Sequence, residues 1–241
     1  MGAYQTMRSD QTIPRKKLAD QVLDRLIDLL RSGELAPGDR MPSERTLMER
    51  YGVGRPAIRE AMQTLAGMGL IAIRHGERAR VKSLSAASMM EQIDLTARHL
   101  LSSSQQSLDN LKEARLLFEL DIVRIAAERA RAADIERLRR ALAAQRASPD
   151  TAHFVEADIA FHGALAAVSG NPIYTAVSNA MLHWIMEYHF DLVHVAGLEQ
   201  LTLAEHTAII DKVEAGDGDG AVKAMADHLN RANALYRLEN R

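Results

Sequence analysis

The stretch from Pro42 to Val81, PSERTLMERYGVGRPAIREAMQTLAGMGLIAIRHGERARV, leaves the chain little conformational choice. Ser43 after Pro42 is placed to cap a helix that runs to about Tyr51. Gly52-Val53-Gly54 breaks that helix within three residues, and Pro56 then falls in the first turn of a second, where its missing N–H costs nothing. In the second helix Ile58, Ala61, Met62 and Leu65 recur at helical spacing and mark a buried face, while Arg55, Arg59 and Gln63 are spaced by four on another. Gly67-Met68-Gly69 ends it. Leu70 to Ile73 predicts a short strand, 74–78 a turn and 79–81 the return strand, a hairpin carrying Arg74, His75, Arg78 and Arg80. Two helices on a tight glycine turn, the second exposing arginine and glutamine, with a hairpin behind them, describe a winged helix-turn-helix.

Solvated arginines on an ordinary helical hairpin would satisfy the same pattern, and charge decides between the two. Residues 1–81 hold 14 Lys and Arg against 10 Asp and Glu, a net of +4, in a chain whose formal net charge is −2, so the remainder carries −6. A basic module on an acidic remainder is the footprint of nucleic-acid binding at one end. Aromatics make up only 4%, which disfavours stacking platforms for single strands. Double-stranded DNA is the expected partner.

Pro37-Gly38-Asp39-Arg40-Met41-Pro42-Ser43-Glu44-Arg45, followed by Val53-Gly54-Arg55-Pro56-Ala57-Ile58-Arg59-Glu60-Ala61, resembles the winged helix of GntR-type bacterial transcription regulators. The resemblance covers about residues 14–81. It implies that Arg45, Arg55 and Arg59 contact an operator and that His75 and Gly76, at the wing tip, enter the minor groove. Arg80 on the return strand is expected to meet a phosphate. The turn 76–81 is most similar to the sialic-acid-responsive branch of that family.

The remainder reads as helix. Residues 1–13 are polar, an expected disordered tail. Arg15-Lys16-Lys17 is either a phosphate contact or a solvated helix entry. Leu18, Val22, Leu26, Leu29 and Leu30 form a stripe that Gly33 ends, and residues 83–87 read as a linker between a 14–82 DNA-binding domain and an 88–241 domain. Beyond Ser88 strand signals vanish. Helices are expected to about Leu101, over 109–131, 133–146 and from Ser148-Pro149-Asp150 to Val168, then after Ser169-Gly170-Asn171-Pro172, over 199–215 and 221–238. The serine-rich run 102–107 and Gly216-Asp217-Gly218-Asp219-Gly220 read as breaks; the latter is no calcium loop, because Ala221 and Lys223 stand at the next ligand positions. The fold class is thus mainly α, a winged helix-turn-helix followed by an all-α bundle of six or seven helices. Without cysteine the chain has neither disulfides nor thiolate metal sites, and without an apolar run of about 20 residues or a signal core it is expected to be cytoplasmic, with no membrane span.

Three of these helices carry polar residues where their apolar stripes should be unbroken. Phe154, Asp158, Phe161, Leu165 and Val168 share a face, and His162 lies one turn after Asp158. His206 belongs to the stripe of Leu203, Ile209, Ile210 and Val213, and His228 sits among Met225, Leu229, Ala232 and Leu235. One such histidine is ordinarily a hydrogen-bonded core residue, whereas three with a carboxylate share a reason if they hold a metal, since burying these groups unpaired is costly. Zn²⁺, then Ni²⁺, suits an Asp-His₃ set, and spacing alone is equally compatible with separate core histidines.

A helical domain after a GntR-type winged helix resembles the effector domain of the FadR subfamily. That resemblance implies a metal on Asp158, His162, His206 and His228, and it places Arg115 in the effector pocket, where the bare sequence also allows an ion pair with Glu119 at i+4. His153, His183, His189 and His194 match no motif. The function implied is a homodimeric repressor whose operator binding responds to a small carboxylate, N-acetylneuraminate or another sugar acid. The competing reading is a metal-dependent hydrolase or oxygenase fused to a DNA-targeting module, but neither an HExxH nor a paired Glu-x-x-His pattern is present.

Overall fold

The computed structural model describes residues 16–193 and 198–238. The expected N-terminal tail, Arg15 and His194 lie outside the described residues, as does the side chain of His189. The chain divides into two compact units that meet between Leu84 and Ser85.

In the first unit, α1 (Leu18–Arg31), α2 (Glu44–Tyr51) and α3 (Arg55–Gly67) pack with a hairpin of β1 (Ile71–Ala72) and β2 (Arg80–Val81). Ser43 caps α2 by accepting from the Thr46 amide at 3.1 Å. Gly52 closes that helix at φ +65°, a left-handed conformation that glycine adopts without strain. Pro56 occupies the first turn of α3. Val22, Leu26, Leu47, Ile58, Leu65 and Val81 meet in one core, so α3 is held by its apolar face and its arginine face is left outward. The hairpin pairs Ile71 with Val81 and Ala72 with Arg80. Each strand is shorter than the expected run, because Ile73 on one side is already exposed and Ala79 on the other donates no ladder bond, its carbonyl instead accepting from Met41.

The second unit holds seven helices among the described residues: α4 (Ala86–Ser102), α5 (Gln105–Arg129), α6 (Ala132–Arg146), α7 (Thr151–Val168), α8 (Pro172–Val193), α9 (Glu199–Glu214) and α10 (Gly218–Leu238). Two expected breaks are shorter than predicted. Ser104 accepts from the Ser107 amide and so starts α5 inside the serine-rich run. Asp217 accepts from the Gly220 amide, which lets α10 begin at Gly218 rather than Ala221 despite two glycines in its first turn. α5 packs against α7, α8, α9 and α10, and a core of Ile122, Val123, Leu138, Phe161, Leu165, Ile210 and Met225 joins α5, α6, α7, α9 and α10. Among the described residues no helix is long and apolar enough to cross a membrane.

Candidate metal centre and nucleic-acid interface

The arginines singled out in the winged unit all point to solvent. Arg55 and Arg59, one turn apart on α3, both approach the carboxylate of Glu44 at the start of α2, at 3.6 and 3.7 Å. Arg45 is more open than either, 86% exposed, and pairs with Glu49 at 2.9 Å. Gln63 is exposed on the same helix as Arg55 and Arg59, and His75 and Gly76 form the exposed wing tip, Gly76 at φ +76°. Arg80 differs, because its guanidinium donates to the Gly38 carbonyl at 3.0 Å and tethers the return strand. Exposed pairs of this kind contribute little to stability. They leave guanidinium groups free to exchange a carboxylate for phosphate or a base edge.

The second unit brings Asp158, His162, His206 and His228 together from α7, α9 and α10. All three histidines are buried, His206 completely. Their ring nitrogens lie within 4.8 Å of one another, with His206 Nε2 3.4 Å from His228 Nε2. Asp158 Oδ1 stands 3.6 Å from His206 Nε2, and Oδ2 3.8 Å from His162 Nε2. Phe161 forms the floor, its ring stacked on His206 with centroids 3.9 Å apart.

The far side of each ring decides what these atoms can do. His162 Nδ1 meets Glu119, His206 Nδ1 meets the Gln145 amide oxygen at 2.8 Å, and His228 Nδ1 meets Glu205 at 2.7 Å. A carboxylate only accepts, and the Gln145 oxygen is the acceptor because its Nε2 donates to Asp158 at 2.9 Å. All three rings are therefore assigned a proton on Nδ1, and their Nε2 lone pairs converge. Two lone pairs 3.4 Å apart cannot hydrogen-bond each other; a cation between them turns repulsion into ligation. Separations of 3.4–3.8 Å are those of donor atoms around one divalent ion with bonds of about 2.1 Å. The residues present thus fit a metal, including the outer partners that fix ring tautomers at metal sites.

Electrostatics agrees. Burial drives the His206 imidazole well below its ordinary pKa, helped by His228 and His162, so it stays neutral and able to ligate. Burial lowers His228 too, against the pull of Glu205. For Glu119, burial pushes the carboxyl up, but His162 and Arg115 outweigh it and hold the group ionised far below the usual carboxylate range. Glu205 is likewise pushed up by burial and brought down to about 2 by His228 and Arg231.

Arg115 is buried on α5, with Nε on Glu119 at 2.5 Å and Nη2 3.5 Å from His162 Nε2. Arg115 thus makes the ion pair with Glu119 that the sequence allowed, and it also borders the histidine cluster. Of the unassigned histidines, His153 is exposed and pairs with Asp150 at 2.8 Å, and His183 is exposed against the Asn179 carbonyl.

Four groups of the cluster escaped the sequence. Gln145 falls on the α6 stripe of Ile135, Leu138 and Leu142 and could have been found as a polar intruder there. Glu119 was visible only as a partner of Arg115. Glu205 and Arg231, paired at 2.5–2.6 Å, carry no periodic signal.

Comparison with known proteins follows the same division. Residues 18–81 match the model of bacterial regulatory proteins, gntR family, and residues 110–231 match the FCD domain. The HTH-type transcriptional repressor NanR of Cronobacter sakazakii is 37% identical over 93% of this chain and 87% of its own length. The repressor of the same name from Escherichia coli K12 is 36% identical over 93% of this chain and 86% of its own. The solved structure of Streptococcus agalactiae GntR shares the fold, with a TM-score of 0.69 over 88% of this chain and 96% of that one at 24% identity.

Proposed function

The chain belongs to the gntR family of bacterial regulatory proteins, in its FadR-like subfamily with an FCD domain, and is a ligand-responsive DNA-binding regulator rather than an enzyme; from that premise we propose that it is a metal-dependent acid sensor that represses transcription. Asp158, His162, His206 and His228 hold one divalent ion, Zn²⁺ before Ni²⁺. The observation that carries this is the convergence of three Nε2 lone pairs and one carboxylate in a buried space.

The ion supplies the positive charge that binds a carboxylate effector. Arg115 presents a second cation beside it, and Phe161 excludes water from one side. N-acetylneuraminate is the first candidate effector, on the likeness of residues 76–81 and of Phe161-His162 with Gly170-Asn171-Pro172-Ile173 to sialic-acid-responsive regulators. Arg45, Arg55, Arg59, His75, Gly76 and Arg80 contact the operator, the arginines of α3 reading the major groove.

Two copies act together on two-fold-related half-sites in the cytoplasm. The exposed Met89, Ile93 and Leu100, which recur on one face of α4, supply an apolar seam for that homodimer.

A titration tests the reading. Operator DNA bound to zinc-loaded protein is titrated with N-acetylneuraminate and related sugar acids, with and without a chelator. Release of the operator by acid from the loaded protein and not from the chelated one is expected, and reciprocity requires operator to weaken acid binding by the same factor. Equal acid binding with and without metal would refute it.

A further inference from the structure

The three histidines are not backed alike. Behind His162 and His228 stand carboxylates, Glu119 and Glu205, whereas behind His206 stands the neutral amide of Gln145. Gln145 is completely buried and hydrogen-bonds two of the four donor residues, giving a hydrogen bond to Asp158 and taking one from His206.

The charges around the cluster sort into pairs. Glu119 is matched by Arg115 at 2.5 Å, and Glu205 by Arg231 at 2.5 and 2.6 Å. One turn before Arg115, Lys112 is matched by Asp109 at 3.5 Å. Among the ion pairs of the described residues, Asp158 is the carboxylate of this set that is joined to histidines and an amide rather than to an arginine or lysine. Added to these described groups, a divalent ion leaves one unit of positive charge, the charge a monocarboxylate cancels.

Resting on the metal reading above, we propose that the neutrality of Gln145 sets the ligand specificity of this centre: it orients His206 and Asp158 without adding charge, and so keeps the loaded cluster cationic and selective for a monoanion. A glutamate would still accept from His206. It would also set a second negative charge against Asp158 and bring the loaded centre to neutrality. Metal would be held harder, and the anion would lose its attraction.

The test loads wild type, Gln145→Glu and Glu205→Gln with Co²⁺, whose visible spectrum reports the ligands around it. Azide serves as the monoanionic probe and imidazole as the neutral one. Glu205 is less buried than Gln145, and its glutamine keeps an acceptor for His228 while adding one unit of positive charge. Azide should bind Gln145→Glu about tenfold more weakly than wild type, and Glu205→Gln about tenfold more tightly, as expected for one charge several ångströms away at the intermediate effective dielectric of a protein. Cobalt affinity should run in the opposite order, and imidazole should bind all three alike.

If Gln145→Glu does not fold, the azide affinity of Glu205→Gln against wild type decides alone. Azide affinities within twofold of one another, or an imidazole series that follows the azide series, overturn the assignment and leave the metal reading standing. A wild-type chain that takes up no cobalt overturns both.

Discussion

The side chains of Arg55 and Arg59 on the recognition helix are 64% and 62% exposed, while those of His162 and His206 expose nothing. The first face is an array of long cations, each loosely held by one carboxylate 3.6–3.7 Å away. The second is a network in which each ring has an outer partner and the two acidic outer partners, Glu119 and Glu205, each have an arginine. Exposed charges cost the fold little and, in the function proposed above, exchange water and carboxylate for DNA. Buried ones are tolerated only as a set, because a charge left alone in the interior is far more costly than one never placed there. The same elements, arginine and carboxylate, are thus left exchangeable in one unit and locked into the interior of the other.

That contrast is sharpest at Glu119. Glu119→Ala strips a buried partner from Arg115 and from His162 at once, and it should cost about 3–5 kcal/mol of stability in denaturant unfolding. A loss under 1 kcal/mol would mean that the network relaxes and that the two faces do not differ in kind. Metal removal should come next. A site held at about 100 times its dissociation constant adds roughly 2.7 kcal/mol to the folded state, so chelation should lower the melting temperature measurably, and the drop should vanish in His206→Ala.

On the winged face the effects move from stability to binding. Arg59→Ala should weaken a selected operator by about 1–3 kcal/mol if it reads a guanine. Its unfolding free energy should stay within about 0.5 kcal/mol of wild type, as for an exposed side chain. Unchanged operator affinity would remove α3 from the reading face. Arg80→Ala should do least: all DNA sequences should weaken alike, with the salt slope reduced by about one. Because Arg80 also tethers Gly38, a small loss of unit stability should accompany it.

The two regions also differed in how far their sequence could be read. The winged unit announces itself through local chemistry: Ser43 as a cap, Gly52 in a left-handed turn, Pro56 in a first turn, and apolar residues at helical spacing. In the helical unit Asp158, His162, His206 and His228, which the fold brings together, stood out because polar residues fall on or beside apolar stripes. That unit gave up Glu205 and Arg231 only in three dimensions, and Gln145, readable as a polar residue on the α6 stripe, showed its partners only there. Gln145 meets its partners 13 and 61 residues away, and Arg231 meets Glu205 26 residues away, separations at which no periodicity speaks. Helix starts failed for a local reason, since Ser104 and Asp217 cap helices from inside runs that look like loops.

The central claim, a metal held by Asp158, His162, His206 and His228, is tested most directly by elemental analysis of protein purified without a histidine tag. About one divalent ion per chain is expected in the wild type, with most of it lost in both His206→Ala and His228→Ala while the far-ultraviolet spectrum stays helical. Wild-type metal occupancy in both variants, or no metal in a wild type incubated with zinc, would contradict the account and return the three histidines to the core as ordinary hydrogen-bonded residues.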